Sequence, residues 1–316
     1  MTKTKVIFMG TPEFAVKMLD VLVEVGMDVV AVVTQPDKPV GRRHEIQFSP
    51  VKIRALSYGF HVLQPIKIGE SSDVINALDA DLIVTCAYGQ FIPSRILEHP
   101  TFGAINVHAS LLPQYRGGAP IHKAIIDGQT KTGISIMRMV KKMDAGDVMA
   151  RSEVDISHED TVGTLHDKLQ ASAADLLRKS LPVLLNGNAV WEIQDETQAT
   201  FAYNITKEQE FIAFNRPAAD VYNHIRGLIP WPVGYGVVAN KKIKFHQVAL
   251  LPDKVLGKPG EVLGLIDGAF AVQALNGIIL LRELQLEGKG KANALDFNNG
   301  FGKSLLGVCF DEKHES

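Results

Sequence analysis

The chain has 316 residues and a mass of 34.5 kDa, with 46% hydrophobic, 22% charged and 7% aromatic residues; this is globular composition and excludes a disordered, collagenous or coiled-coil chain. Lys and Arg number 33 against 35 Asp and Glu, a net charge of -2, which excludes binding to nucleic acid through global charge; a phosphate backbone would have to meet local basic patches. Two distant cysteines, Cys86 and Cys309, form no CxxC pair, and no run of about 18 apolar residues occurs, so a reducing cytoplasm and no membrane span are expected.

From the N-terminus, Lys5–Gly10 reads as a first strand, and Pro12 opens a helix with Phe14, Met18, Leu19, Leu22 and Val23 on one face. Val29–Val33 is a continuous apolar run of the kind buried on both faces of a parallel sheet. Helical patterns near 50–58 and 71–78 flank a short strand at His61–Leu63, and further buried strands follow at Asp81–Thr85 and Ala104–His108. Strand-like segments at 132–139 and 148–156 precede a long amphipathic helix, Thr161–Leu185, with Asn186-Gly187-Asn188 as its stop. This alternation predicts a doubly wound, mostly parallel α/β domain over 1–189, with its ligand at the carboxyl ends of the strands. A linker is expected over 190–207. Beyond it come one helix, Pro217–Gly227, and short strands at Val233–Val238, Lys241–Phe245, Val262–Ile266, Phe270–Ala274 and Ile278–Leu286. These predict a small β-barrel of the oligonucleotide-binding type over 208–316.

The first turn, Gly10-Thr-Pro-Glu-Phe14, lacks the later glycines of GxGxxG, and no Walker A or HExxH occurs. Dinucleotide, nucleoside-triphosphate and metal readings lose their main support, and no metal is expected. The richest segment runs from Asn106 to Pro120. Strand alternation puts Asn106 and His108 on one face, two residues apart, at a carboxyl end. An amide donor beside an imidazole suits holding a developing oxyanion while a proton moves. Met143-Asp144-Ala-Gly-Asp147 places acids in a loop; Asp147 suits a turn, whereas Asp144 is the better candidate for orienting the imidazole. Cys86 reads as a buried packing thiol. Positive charge clusters at Lys38/Arg42/Arg43, Lys141/Lys142, Lys241/Lys242/Lys244 and Lys289/Lys291.

Asn106-x-His108-x-Ser110-Leu-Leu-Pro113-x-Tyr115-Arg-Gly117, followed by the Asp144-x-Gly-Asp147 loop, resembles the folate-dependent formyltransferases. Gly10–Phe14, Thr34–Arg42, Ser49–Lys52, Ala87–Pro93, Gln194–Thr197 and Asn223–Pro232 make the similarity closer to the methionyl-tRNA formyltransferases, over essentially the whole chain. The resemblance implies a Rossmann-like formyltransferase domain followed by a tRNA-binding, OB-like barrel. It implies formyl transfer from 10-formyltetrahydrofolate to the amino group of methionine on initiator methionyl-tRNA. Asn106 and protonated His108 would hold the oxyanion, and Asp144 would orient His108 and help route the proton. Ser110, Leu111, Leu112 and Pro113 match the folate-contacting loop. Ala87, Tyr88, Gly89, Gln90, Phe91 and Ile92 would wall the pterin pocket. Lys38, Arg42 and Arg43 match a loop that reaches the tRNA acceptor end, and Lys241, Lys242 and Lys244 would guide its stem. A monomer is expected. The rival readings are a sugar-nucleotide N-formyltransferase, a formyltetrahydrofolate hydrolase, and an RNA-binding module with an inert α/β scaffold.

Overall fold

A computed structural model describes residues 3–40 and 45–313. In chain order its elements are β1 (Lys5–Gly10), α1 (Glu13–Glu24), β2 (Asp28–Val33), β3 (Lys38–Val40), β4 (Glu45–Gln47), α2 (Pro50–Ser57), β5 (Val62–Leu63), α3 (Ser72–Asn76), β6 (Leu82–Cys86), α4 (Ser94–Leu97), β7 (Ala104–His108), α5 (Pro120–Ile126), β8 (Lys131–Arg138), β9 (Val148–Asp155) and α6 (Val162–Leu185). They are followed by α7 (Ala218–Arg226), β10 (Tyr235–Val238), β11 (Lys241–Pro252), β12 (Val262–Ile266), β13 (Ala269–Ala274), β14 (Gly277–Leu286), β15 (Lys291–Asn293) and α8 (Ala294–Asn299).

The chain divides into two compact units. The first holds residues 1–120, 132–155 and 166–203; the second holds 121–131, 156–165 and 204–316. The stretch read as linker, 190–207, thus lies in the first unit as far as Tyr203.

The first unit is built on a seven-stranded sheet in the order β5-β2-β1-β6-β7-β8-β9. Strands β5, β2, β1, β6 and β7 run parallel, and β8 joins antiparallel to β7. The central strands are apolar at nearly every position because helices cover both faces. The chain leaves β1 toward β2 and β5, then returns to place β6 on the other side of β1. That reversal is a topological switch point, and it opens a crevice at the carboxyl ends of β1 and β6. Leu165, Leu169, Ala173, Leu177 and Leu181 are buried along α6 at fourfold spacing. Past the end of α6 the Gly187 N–H bonds the Leu184 carbonyl and the Asn188 N–H the Val183 carbonyl.

The second unit is an antiparallel sheet in the order β10-β11-β14-β13-β12, with β15 beside β14. The segment 307–311 hydrogen-bonds to Val262 and Gly260 at one edge and to Val237 at the other, which closes the sheet into a barrel. Phe214, Phe245 and Phe310 meet edge-on or tilted in its core, beside Ile243, Phe270 and Leu281. The observed β11 runs past Phe245 to Pro252, because register shifts between Phe245 and Val248 interrupt the simple alternation. Among the described residues no helix is long and apolar enough to cross a membrane.

Candidate active site

Asn106 and His108 stand on the same face of β7 at its carboxyl end, beside β6. In register beside Asn106 on β6 is Thr85, the polar break in the apolar run Leu82-Ile-Val-Thr85. The Thr85 hydroxyl donates to Asn106 Oδ1 at 2.8 Å. With Oδ1 turned to Thr85, the amide oxygen faces the sheet, and the NH2 makes no hydrogen bond to another described residue and is left for a ligand. His108 is only 6% exposed, and its Nε2 lies 3.0 Å from the Tyr115 carbonyl oxygen. Its Nδ1 lies 3.8 Å from Asp144 Oδ2. Two oxygens therefore flank the two ring nitrogens, an arrangement in which an imidazolium can donate on both sides.

The loop after β7 is braced from within. The Ser110 hydroxyl is fully buried and donates to the Gln114 carbonyl at 2.6 Å, while the Ser135 hydroxyl donates to the Ser110 carbonyl and accepts the Leu112 N–H. Leu112 packs on Met137 and Val148, and its carbonyl accepts from Arg151 Nε. Leu111 and Pro113 are partly exposed on the same loop.

Asp144 lies in the loop between β8 and β9 with a left-handed φ of 47°. Its Oδ2 accepts the Gly117 N–H at 2.8 Å, so one carboxylate oxygen faces both Gly117 and His108. Two residues on, a Cβ at Gly146 would stand 1.8 Å from the Arg138 carbonyl oxygen, so this turn closes only with glycine. Arg116 is fully buried, and its guanidinium donates to Gln194 and Glu196. Those bonds, with one from Lys142, hold the Glu196 carboxyl down at about 2. Asn106, His108 and Asp144 thus come together, and they bring with them four residues that composition and spacing do not single out as functional: Thr85, Arg116, Gln194 and Glu196. The isolated threonine closing an apolar strand is the signal that could have marked Thr85.

The segment at the carboxyl end of β6, the strand beside β7, is Cys86–Ile92. Cys86 is buried and its thiol is pushed up to about 12, consistent with packing and not with nucleophilic chemistry. Ala87, Gly89 and Phe91 are exposed, and Ala87 and Gly89 have φ of 48° and 91°. Tyr88 and Ile92 point into the core, and burial raises the Tyr88 hydroxyl to about 12. The Tyr88 carbonyl accepts from Thr11 Oγ1 and Gln35 Nε2. Gln90 is engaged on both ends, accepting the Ile68 N–H and donating to the Pro65 carbonyl. Of the six, Ala87, Gly89 and Phe91 face outward, and Tyr88, Gln90 and Ile92 support them.

The basic residues are dispersed. Lys38 is exposed at the start of the β3–β4 hairpin; Arg42 and Arg43 lie outside the described residues. Just before the hairpin, Asp37 is gripped by Lys52 and Gln64, and the Lys52 bond pulls its carboxyl below the usual range. In the second unit, Ile243 and Phe245 turn into the core, and Lys242 and Lys244 share the opposite face of β11. Lys242 Nζ sits 3.4 Å over the Tyr235 ring. Lys241, one residue off that alternation, is exposed at the start of the strand. No group of three or more His, Cys, Asp or Glu able to hold a metal occurs among the described residues.

Residues 3–181 match the formyl transferase family, and residues 204–302 match the formyl transferase C-terminal domain. The chain is 48% identical over 316 residues to a methionyl-tRNA formyltransferase of Geobacillus sp. (strain WCH70), covering 99% of both chains. Among solved structures it is similar in fold to an N-formyltransferase from Helicobacter canadensis in complex with folinic acid and dTDP-3-aminofucose, with a TM-score of 0.66 at 18% identity, covering 89% of this chain and 99% of that one. It also resembles a variant of HypX from Aquifex aeolicus, with a TM-score of 0.67 at 15% identity, covering 96% of this chain but 48% of that one. The chain belongs to the formyl transferase family and, within it, to the methionyl-tRNA formyltransferases.

Proposed function

We propose that the chain transfers the formyl group of 10-formyltetrahydrofolate to the amino group of methionine on initiator methionyl-tRNA. One observation carries this reading: the Asn106 amide, held through its oxygen by Thr85, shares a face with the His108 imidazole at the carboxyl end of β7, and the Asp144 carboxylate faces that imidazole. When bound, the folate supplies the formyl carbon and takes a proton at its leaving nitrogen. The segment after β6 suits a flat heteroaromatic ring, since Ala87 and Gly89 are small and exposed and Phe91 exposes an apolar ring.

The uncharged methionine amine attacks the formyl carbon, and negative charge grows on the formyl oxygen. The Asn106 NH2, locked by Thr85, meets that charge without reorganising; one such donor contributes roughly 3–4 kcal/mol in other enzymes. His108 shares the same face and adds positive charge near that oxygen when protonated, the Tyr115 carbonyl accepting the hydrogen bond at Nε2 and Asp144 facing Nδ1. The 3.8 Å separation at Nδ1 shortens on substrate binding, as catalytic contacts commonly do. The Asp144 carboxylate takes the proton that leaves the attacking amine and passes it to the departing nitrogen, and the C–N bond to the folate then breaks.

Residues 1–189 carry the chemistry and 208–316 hold tRNA. Lys38, Arg42 and Arg43 contact phosphates near the acceptor end, and Lys241, Lys242 and Lys244 contact the stem. The chain acts as a monomer in the cytoplasm. The decisive assay offers 10-formyltetrahydrofolate with charged initiator methionyl-tRNA, elongator methionyl-tRNA, or no acceptor. Rapid formylation of the initiator alone is expected. Formate release without acceptor and no transfer would overturn the reading in favour of hydrolysis.

A further inference from the structure

We infer that Gln194 is a positioning residue for Asp144, acting from a strap, residues 191–202, that the chain lays across both catalytic loops; the inference rests on the role proposed for Asp144. Gln194 is 5% exposed and all of its hydrogen-bonding capacity is used. Its Oε1 accepts from Arg116 Nε at 3.1 Å and from an Arg116 terminal nitrogen at 2.8 Å. Its Nε2 donates to the Asp144 carbonyl at 2.9 Å and to the Gly146 carbonyl at 2.6 Å. The orientation has one solution, because a guanidinium only donates and a carbonyl only accepts.

The same strap grips the loop that faces His108 and Asp144. The Arg116 N–H donates to the Thr200 carbonyl at 2.9 Å, and its carbonyl accepts the Ala202 N–H at 2.7 Å. On one side of Arg116, Tyr115 presents its carbonyl to His108 and gives its N–H to Thr200 Oγ1. On the other, Gly117 gives its N–H to Asp144. A Cβ at Gly117 would come within 2.7 Å of the Ala202 carbonyl oxygen, so strap and loop are in contact at that residue. Asp144 itself has a positive φ, a conformation that a non-glycine residue keeps only when its surroundings over-determine it. Two of its restraints are the Gln194 bond to its carbonyl and the Gly117 bond to its carboxylate. Neither involves a substrate.

Gln194→Glu tests this. The new carboxylate still accepts from Arg116 but cannot donate to the carbonyls of Asp144 and Gly146. Two quantities are read: steady-state kinetics with both substrates, and backbone amide exchange at Gly117 by NMR in the full chain without substrate. The expected result is a kcat lower by about tenfold to a hundredfold, a KM for the folate donor within about twofold of wild type, and Gly117 exchange about tenfold faster. A kcat within about twofold of wild type overturns the inference, as does a fallen kcat with unchanged Gly117 protection, which would mark a merely structural role. Should Gln194→Glu fail to fold, Glu196→Gln removes one anchor of Arg116 at an exposed position. It is expected to lower kcat by about twofold to fivefold with the same Gly117 signature, and unchanged values would overturn the inference. A wild-type enzyme that fails to formylate methionyl-tRNA would defeat the functional reading alone, since Gly117 exchange is measured without the reaction.

Discussion

The end of β7 and the basic face of β11 handle polar groups in opposite ways. Around Asn106, His108 and Asp144, every supporting group named is held in place: the Thr85 hydroxyl on the amide, the Tyr115 carbonyl on the imidazole, the Gly117 N–H on the carboxylate, and the Gln194 side chain behind Asp144. On β11, Lys242 and Lys244 are partly exposed on one face, the first resting over Tyr235. The contrast follows from what each region is proposed to do. Stabilising charge on one oxygen requires donors already in place, since reorganisation during reaction costs rate. Attracting a phosphate backbone works over several ångströms and tolerates mobile side chains.

Breaking the first region should therefore damage rate, and breaking the second should damage salt-dependent binding. The largest expected effect is from Asn106→Ala or His108→Ala, which should lower kcat by about 10²–10³ with a small change in melting temperature. A near-wild-type kcat in either variant would remove that residue from the chemistry. Thr85→Val keeps shape but loses the hydroxyl on Asn106 Oδ1; the expected cost is about 1–3 kcal/mol of transition-state stabilisation, seen as lower kcat with an unchanged folate KM. An unaffected rate would show that Asn106 needs no orientation.

The tRNA contacts sharpen the comparison from the other side. Replacing Arg42 and Arg43 together by Ala should raise the KM for methionyl-tRNA and reduce the log–log salt slope by about 2, leaving kcat at saturation nearly unchanged. Lys242→Ala should reduce the slope by about 1, and an unchanged slope would move the phosphate contact elsewhere.

The smallest effect concerns stability in the second unit. His224 donates Nε2–H to the Gln209 carbonyl and accepts from Arg216 on Nδ1, and burial pushes it down to about 4. The native ring is thus neutral, whereas the unfolded ring titrates near 6.5. This contribution is complete above pH 6.5 and is lost as pH falls from there toward 4. Urea unfolding between pH 7 and 4 should show this decline, and His224→Gln should flatten it.

Local pattern alone determined much of the molecule. The apolar runs of β1, β2, β6 and β7, the amphipathic face of α6 and its Gly187 stop, and the pairing of Asn106 with His108 all depend on residues a few positions apart. Periodicity expresses such relations directly, because side-chain direction repeats every two or 3.6 residues. The β3–β4 hairpin escapes that logic, since each strand has three residues. So do the second half of β11, where register shifts break the alternation, and the barrel closure by residues 307–311. Only the tertiary structure decided that Thr85 meets an amide 21 residues on, and that Gln194 reaches back 78 residues to Arg116 and 50 to Asp144. Such contacts leave no period in the chain: they exist because a strap closes over two loops, and the folded core offsets the entropy of bringing them together.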